Sequence, residues 1–322
     1  MTRRTPLLSA VFVACSVSIL SFVFLQVAGF HQTSHARAAS LYSIRFIPDV
    51  NYGNGTIAEE VLDECLPSNP PSLEPGVIMI HGGGWVGGQK EKYDTMCKHY
   101  ASEGYVAVTI DYRLANPNLS QDTDHWPDQI GDVQLAVRFL RANASSLGLD
   151  PGRICSLGDS AGAHLALMLD ELQTIHPSDV AGEYPNQSPT VECVVDQFGP
   201  TDLRELYFQN KKNQEVQNDI PALLGRKPYP LKKPDPLAND ASPIDNIAPQ
   251  TGPVLIIQGT LDKTVLPDQS KHLYQALKSD GFMPQYISYN GGHEYSGLKP
   301  SQLQAIMTQI NNYLNAQLQP EN

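Results

Sequence analysis

Short apolar segments rich in β-branched residues alternate with helical segments along most of the chain. Residues 77–80 and 106–110 have the composition of buried strands, and apolar residues recur at helical spacing over residues 130–140. The alternation continues with strands over residues 153–157, 191–198, 254–257 and 286–289, and with helices over residues 161–172, 269–277 and 301–318. Strands separated by helices of this length predict an α/β fold with a mostly parallel central sheet and helices on both faces.

Two segments depart from this alternation. Residues 41–75, with Asn54-Gly55 as a turn signal, predict leading antiparallel strands. Residues 201–250 contain seven prolines, and this density excludes a long helix or a central strand. We therefore expect a short loop-rich insertion at about residues 201–250, which either caps the functional site or is a plain excursion over the sheet edge.

The N-terminus has the order of features that is typical of a secretory signal. Arg3 and Arg4 precede an almost wholly apolar run over residues 7–30, and Ala36-Arg37-Ala38 offers small residues for cleavage. We predict a signal peptide over residues 1–38, a single domain over residues 39–322, and secretion. The apolar run is long enough to span a bilayer, so an uncleaved membrane anchor is the alternative, and contact with a membrane is expected only in that case.

Charge and cysteine spacing exclude two classes of site. The net charge is −12, and an acidic chain without a basic stripe is a poor nucleic-acid binder. The cysteines after the leader are Cys65, Cys97, Cys155 and Cys193, and because no CxxC pair exists we predict no metal site. Export permits disulfides, and a Cys65–Cys97 bridge stays open. Cys155 and Cys193 lie in apolar strand-like runs, which favour buried free thiols.

Gly158-Asp159-Ser160-Ala161-Gly162 lies between a predicted strand and a predicted helix. A sharp strand-to-helix turn needs small residues on both sides of the serine, so that its hydroxyl stands clear above the sheet. The helix N-terminus also favours negative charge that develops there. An ordinary glycine-rich turn is the alternative interpretation. We predict that Ser160 is a nucleophile.

A run of three glycines follows an earlier strand, in the segment His81-Gly82-Gly83-Gly84-Trp85. Three consecutive glycines cost backbone entropy, so a loop that retains them indicates close approach of the backbone to another group. Beside a nucleophile, their N–H groups could stabilise a carbonyl oxygen that becomes anionic. A flexible loop is the alternative.

A serine nucleophile needs a base, and the base needs a carboxylate that orients it. Asp262 and His293 each follow a predicted strand, and the chain order Ser, Asp, His is that of the α/β-hydrolase type. Asp196 and Asp202 near another strand end are the rival carboxylates, with Asp202 the stronger of the two.

Two further histidines lie close to these motifs in the sequence. His81 precedes the glycine run and is expected to brace that loop. His164 lies one turn into the helix that follows Ser160, where it faces the wrong way to act as the base.

Several of these motifs resemble a known family. His81–Trp85, Asp111–Leu114 and Gly158–Gly162 resemble the hormone-sensitive-lipase-like branch of the α/β-hydrolases, while residues 49–54, 62–63 and 241–243 are more similar to bacterial acetylxylan and feruloyl esterases. The resemblance covers nearly the whole mature chain. It implies a compact carboxylesterase with the α/β-hydrolase fold and no cofactor. It also implies Ser160, Asp262 and His293 as the triad, and the backbone N–H groups of Gly83, Gly84 and Ala161 as the oxyanion hole.

The chain departs from the family pattern at the borders of the expected pocket. Glu294-Tyr295 follows the histidine where relatives commonly have a glycine and an aromatic residue, and residues 115–126 form a longer segment than expected. The expected substrate is a small-molecule or polysaccharide-linked ester, such as an acetyl or feruloyl ester of plant polysaccharide. The alternatives are a general short-chain esterase or lipase, a small serine peptidase, and a non-catalytic binding protein on a hydrolase scaffold.

Overall fold

The computed structural model describes residues 42–116, 124–171, 183–226 and 230–318. The predicted leader over residues 1–38 lies outside these ranges, so its cleavage or retention stays a prediction. Over the described ranges, no helix is both long enough and apolar enough to cross a membrane.

The described chain is built around one eight-stranded sheet. Its strands are β1 (Ile44–Asn51), β2 (Val61–Pro67), β3 (Glu74–Ile80), β4 (Val106–Ile110), β5 (Leu149–Asp159), β6 (Cys193–Gln197), β7 (Val254–Gly259) and β8 (Gln285–Tyr289). They lie in the order β1-β2-β4-β3-β5-β6-β7-β8. β2 is antiparallel to both of its neighbours, and all pairs from β4 to β8 are parallel. The mostly parallel sheet and its antiparallel leading strands are therefore confirmed.

Helices cover both faces of the sheet. They are α1 (Asp94–Ser102), α2 (Asp128–Ala142), α3 (Ala144–Leu147), α4 (Ala161–Glu171), α5 (Leu203–Gln209), α6 (Gln214–Leu223), α7 (Pro236–Asp240), α8 (Pro267–Ser279) and α9 (Pro300–Leu318), with 3-10 turns at Lys90–Tyr93, Pro243–Asp245 and His293–Tyr295. In β3, Ile78 and Ile80 pack in the core shared with α2, α4 and α8, whereas Val77 and Met79 pack in the core shared with α1 and α9. Because both faces are buried, the strand is apolar without a break.

The insertion at residues 201–250 is less loop-rich than expected, because it contains the helices α5, α6 and α7. The Asn213 side chain caps α6 by accepting hydrogen bonds from the N–H groups of Glu215 and Val216. Pro221 lies in the last turn of this ten-residue helix. A proline near a helix end removes a single hydrogen bond and leaves the earlier turns intact, so short helices tolerate the prolines that a long one would not.

Both pairs of cysteines form disulfides, so the expectation of free thiols at Cys155 and Cys193 is wrong. Cys155 on β5 lies directly opposite Cys193 on β6 in the sheet register, with 4.7 Å between their Cα atoms. An apolar strand pattern indicates burial but not register, which is why the sequence did not reveal this pair. The second bond joins Cys65 on β2 to Cys97 on α1.

Parallel strands with a common direction bring the predicted site segments to one edge of the sheet. The loops that contain His81, Ser160, Asp262 and His293 follow the carboxyl ends of β3, β5, β7 and β8 respectively. Ligand sites in open α/β sheets lie at this edge.

Candidate active site

Ser160 occupies a strained turn between β5 and α4. Its φ angle is 51°, in the left-handed region that non-glycine residues rarely adopt. Its N–H donates to the carbonyl of Gln197 at 2.9 Å, and its own carbonyl accepts from the N–H of His164 at 3.1 Å. A Cβ atom on Gly158 would collide with the backbone of Gly162. The glycines of the motif are therefore required by the close packing that holds the serine in this conformation.

His293 joins Ser160 to Asp262 through two hydrogen-bond distances. Its Nε2 lies 2.9 Å from Ser160 Oγ, and its Nδ1 lies 2.7 Å from Asp262 Oδ2. The imidazole is 18% exposed and the Asp262 side chain is fully buried. The structure thus brings together the three side chains predicted as a triad, in an arrangement in which the carboxylate orients the base and the base faces the hydroxyl.

The remaining lone pairs of the Asp262 carboxylate are held by fixed donors. Its Oδ1 accepts from the N–H groups of Thr264 at 2.8 Å and Val265 at 3.0 Å. Its Oδ2 also accepts from the Gln258 amide at 3.2 Å. These donors lock the side-chain rotamer, so that the carboxylate presents one oxygen to His293.

The rival carboxylates have other partners. Asp202 caps α5 by accepting from the N–H of Glu205 at 2.7 Å. Asp196 accepts from the N–H of Gly199 at 2.7 Å, and burial raises its pKa to about 7. Among the described residues, only Asp262 accepts a hydrogen bond from His293.

The glycine loop after β3 has a backbone that only glycine adopts readily. Gly83 and Gly84 have φ angles of 124° and 63°. The carbonyl of Gly83 accepts from the N–H groups of Val86 and Gly87, which closes the turn. The N–H groups of Gly83, Gly84 and Ala161 donate to no described residue. They are therefore available to a ligand oxygen, as the predicted oxyanion hole requires, and that role stays a prediction.

Two buried histidines contact residues of this loop and support its conformation. Burial lowers the pKa of His81, whose ring stacks on Tyr112 with 4.4 Å between ring centroids and whose Nδ1 lies 2.8 Å from the carbonyl of Gly82. Burial also lowers the pKa of His164 to about 4. Trp85 Nε1 donates to His164 Nδ1 at 3.2 Å, so the proton of the neutral ring lies on Nε2, which faces the carbonyl of Ala241 at 2.7 Å. The two rings serve as structural supports.

Asp159 forms a connection that the sequence did not reveal. Its Oδ1 accepts from the N–H of Gly82 at 3.1 Å and from the Tyr93 hydroxyl at 2.8 Å. Its Oδ2 accepts from Lys92 Nζ at 2.7 Å, and Lys92 also contacts Glu294 Oε1 at 3.1 Å. Asp159 precedes Ser160, Gly82 precedes Gly83, and Glu294 follows His293. One polar network therefore links the three loops of the site.

The backbone after His293 is strained, and contacts with Gln197 and Phe198 hold this segment in place. Glu294 and Tyr295 both have left-handed φ angles, of 52° and 60°. The Tyr295 hydroxyl donates to Gln197 Oε1 at 2.6 Å, and the Gln197 amide donates to the carbonyl of Gly158 at 3.0 Å. The ring of Phe198 packs edge-on against His293, with 4.9 Å between centroids. Such strain persists only where surrounding contacts over-determine the backbone.

Within the described ranges, no group of three or more histidine, cysteine, aspartate or glutamate side chains is placed to hold a metal ion.

Comparison with known proteins shows which families the chain is similar to. A family model described as BD-FAE matches residues 62–277. Isoprenylcysteine alpha-carbonyl methylesterase ICME of Arabidopsis thaliana is 26% identical over 280 residues, which cover 85% of this chain and 62% of that protein. Esterase LipC of Mycobacterium tuberculosis is 29% identical over 224 residues, which cover 66% of this chain and 50% of that protein. The chain thus spans only part of the length of these relatives.

The fold is shared with solved esterase structures. A truncated form of a carbohydrate esterase from gut microbiota superposes with a TM-score of 0.69 at 25% identity, over 86% of this chain and 99% of that one. This structure and the other solved structures that the chain matches are esterases of the α/β-hydrolase type. The predicted fold class and the resemblance to α/β-hydrolase carboxylesterases are therefore confirmed.

Proposed function

The chain belongs to the BD-FAE family, and from this premise we propose that it is a carboxylesterase that works through an acyl-enzyme formed on Ser160. The observation that carries the proposal is the chain of short distances from Ser160 Oγ through His293 to Asp262. This arrangement makes the serine hydroxyl a nucleophile and gives the departing alcohol a proton donor.

The proposed reaction has two matching halves. His293 Nε2 takes the Ser160 proton as Oγ attacks the ester carbonyl, whose oxygen becomes an anion within reach of the N–H groups of Gly83, Gly84 and Ala161. When the intermediate collapses, the ester C–O bond breaks and the alcohol leaves with the proton held by His293. Water then gives a proton to His293 and attacks the acyl-enzyme. The bond from the acyl carbon to Ser160 Oγ breaks, His293 returns its proton to Oγ, and the carboxylic acid leaves. Asp262 keeps the imidazole in the tautomer that presents Nε2.

We propose acetyl or feruloyl esters attached to plant polysaccharide as the substrate class. Two observations support it: the resemblance of residues 49–54 to acetylxylan and feruloyl esterases, and the carbohydrate esterase that the chain matches over 99% of its length. A general short-chain esterase is the second candidate, because the matched relatives also include Esterase LipC.

Secretion is part of the same proposal. The basic start, apolar run and small residues before position 39 favour export. The Cys65–Cys97 and Cys155–Cys193 disulfides are typical of an oxidising compartment outside the cytosol. Expression of the full chain in a secreting host, with N-terminal sequencing of the product, tests this directly: a mature terminus near residue 39 is expected, and a product that starts at Met1 in the membrane fraction would favour the anchor.

One set of assays separates the catalytic proposal from its alternatives. The purified protein is tested on acetylated xylan, methyl ferulate, a series of p-nitrophenyl esters and a p-nitroanilide. We expect hydrolysis of esters, loss of that activity in Ser160→Ala, and no change in the matched control Ser279→Ala, whose side chain is exposed at the end of α8. Full activity in Ser160→Ala would overturn the proposal. Preference for long acyl chains over the xylan and ferulate substrates would favour the general esterase.

A further inference from the structure

A cavity of about 720 Å³ borders the site on the sheet face that α1 and α9 cover. Asp159 and Glu294 line it, and these residues flank Ser160 and His293 in the chain. None of Ser160, Asp262 or His293 lines it. The cavity therefore lies beside the reacting atoms without containing them.

The walls of this cavity are mostly aromatic or apolar. Tyr100 from α1, Phe198 after β6 and Tyr295 after His293 supply rings, and Leu303 and Met307 supply the apolar side of α9. Aromatic and thioether side chains adapt to flat, polarizable ligands. A volume of this size is in the range of small-molecule sites, which bury most of a ligand in an apolar environment with few polar groups.

The charged side chains at the cavity carry an excess of negative charge, because one lysine lies between two carboxylates. Lys92 lies 2.7 Å from Asp159 and 3.1 Å from Glu294, and His99 faces Glu103 at 3.4 Å. An anionic ligand would meet the two carboxylates, and a cationic ligand would have to compete with Lys92. The lining therefore disfavours an anion, which would lose its hydration without gaining a partner, and a cation would have to displace Lys92 from carboxylates that it already contacts. An uncharged ligand meets neither obstacle.

The cavity retains neutral hydrogen-bond donors. The Tyr100 hydroxyl donates to Asn311 Oδ1 at 3.1 Å, and the amide nitrogen of Asn311 donates to no described residue. The Gln304 carboxamide, two turns earlier on the same helix, also lines the cavity and is exposed. A hydroxyl oxygen on the ligand would satisfy these donors.

We propose that this cavity is a second binding site, for an uncharged aromatic molecule that carries a hydroxyl group, such as a simple phenol. The site is distinct from the ester-binding site at Ser160, and its occupancy does not depend on the proposed hydrolysis. A bound ring would contact Phe198 and Tyr295, while its hydroxyl would face the carboxamides of α9.

The test uses 4-methylphenol, which is neutral at pH 7, and isothermal titration calorimetry on the full purified protein. Binding is measured before and after Ser160 is covalently blocked with diisopropyl fluorophosphate, with 4-methylbenzoate as the charged counterpart. Met307→Trp fills the cavity from α9, and Met283→Trp, at a side chain that is 88% exposed and does not line the cavity, is the matched control.

We expect saturable binding of 4-methylphenol that survives the block on Ser160 and that exceeds binding of 4-methylbenzoate. Met307→Trp should weaken it by at least about tenfold, since a filled cavity loses the contacts that hold so small a ligand, whereas Met283→Trp should leave it unchanged. Circular dichroism verifies the fold, and Leu303→Phe replaces Met307→Trp if the latter does not fold.

Three results would overturn the inference: no saturable binding to the unmodified protein, loss of binding once Ser160 is blocked, or undiminished binding in the folded cavity variant. If Ser160 does not react with the fluorophosphate, the proposed function fails on its own. The comparison of Met307→Trp with Met283→Trp still decides whether the cavity binds the phenol.

Discussion

The carboxylate of Asp159 accepts a hydrogen bond from the backbone N–H of Gly82 at 3.1 Å, across 77 positions of the chain. This contact joins the residue before Ser160 to the residue before Gly83. The nucleophile and the loop expected to stabilise the oxyanion are therefore held at a fixed separation by one side chain, which is itself buried and bonded to Tyr93 and Lys92.

Asp159→Ala should lower kcat by roughly 10- to 100-fold with little change in KM, because a small displacement of the Gly83 loop weakens transition-state stabilisation more than ester binding. Asp159→Asn retains an oxygen that can accept from Gly82 and should keep more of the activity. Steady-state kinetics on p-nitrophenyl acetate measure both. Equal activity in the alanine variant and the wild type would show that the loop is held without Asp159.

We expect the loss of the Lys92 charge to lower kcat more than the loss of the Glu294 charge. The Lys92–Glu294 pair is exposed at both ends, at 41% and 61%, whereas the carboxylate that Lys92 shares with Gly82 is 6% exposed. Exposed ion pairs contribute roughly 0–1 kcal/mol, and removal of one partner of a buried charge costs more. Lys92→Met should therefore reduce kcat more than Glu294→Gln does, and Lys92→Arg should restore part of it. Stopped assays on the three purified variants test this order, and a larger loss in Glu294→Gln would contradict it.

Asp196 should make the protein less stable as the pH rises. Burial raises the pKa of this carboxyl from 3.8 to about 7, so the folded state holds its proton more tightly than the unfolded state does. The stability that this proton contributes is fully present below about pH 4 and is lost as the pH rises through about 7.

Asp196→Asn removes this dependence while retaining an oxygen for the N–H of Gly199. The free energy of unfolding of the variant minus that of the wild type should rise by about 1–3 kcal/mol from pH 5 to pH 8. Urea denaturation at both pH values measures the difference, in which other titrating groups cancel. A constant difference between the two proteins would contradict the prediction.

The two disulfides predict a mature protein without free thiols. Alkylation with iodoacetamide under denaturing, non-reducing conditions should modify none of Cys65, Cys97, Cys155 and Cys193, and mass spectrometry should recover linked peptides for both pairs. The double variant Cys155→Ala/Cys193→Ala should lose about 2–4 kcal/mol in the free energy of unfolding, because the crosslink restricts the unfolded chain. Alkylated Cys155 in the native protein would contradict the bond.

The sequence was sufficient for the features that local patterns determine. Composition predicted the strands that end near Ser160, Asp262 and His293. Parallel strands bring such ends to one edge of a sheet. Glycines flanking Ser160 indicated a close turn, and the packing of Gly158 against Gly162 explains why.

Features that depend on distant partners could not be predicted. Lys92 lies 67 positions from Asp159 and 202 positions from Glu294, and no local pattern relates them. Cys155 and Cys193 became partners through strand register, which an apolar run does not encode. Pro221 disfavours a helix in the insertion. The Asn213 cap and the buried face of α6 nevertheless outweigh the one hydrogen bond that the proline removes.

The most direct test of the central claim is covalent labelling with a fluorophosphonate probe, followed by mapping of the modified peptide by mass spectrometry. The account predicts a single adduct on Ser160, formed in the native protein and absent after heat denaturation. His293→Ala should slow the labelling by about 100-fold or more, because the serine loses its base. A protein that is not labelled, or that carries the adduct on another residue, would contradict the assignment of Ser160 as the nucleophile.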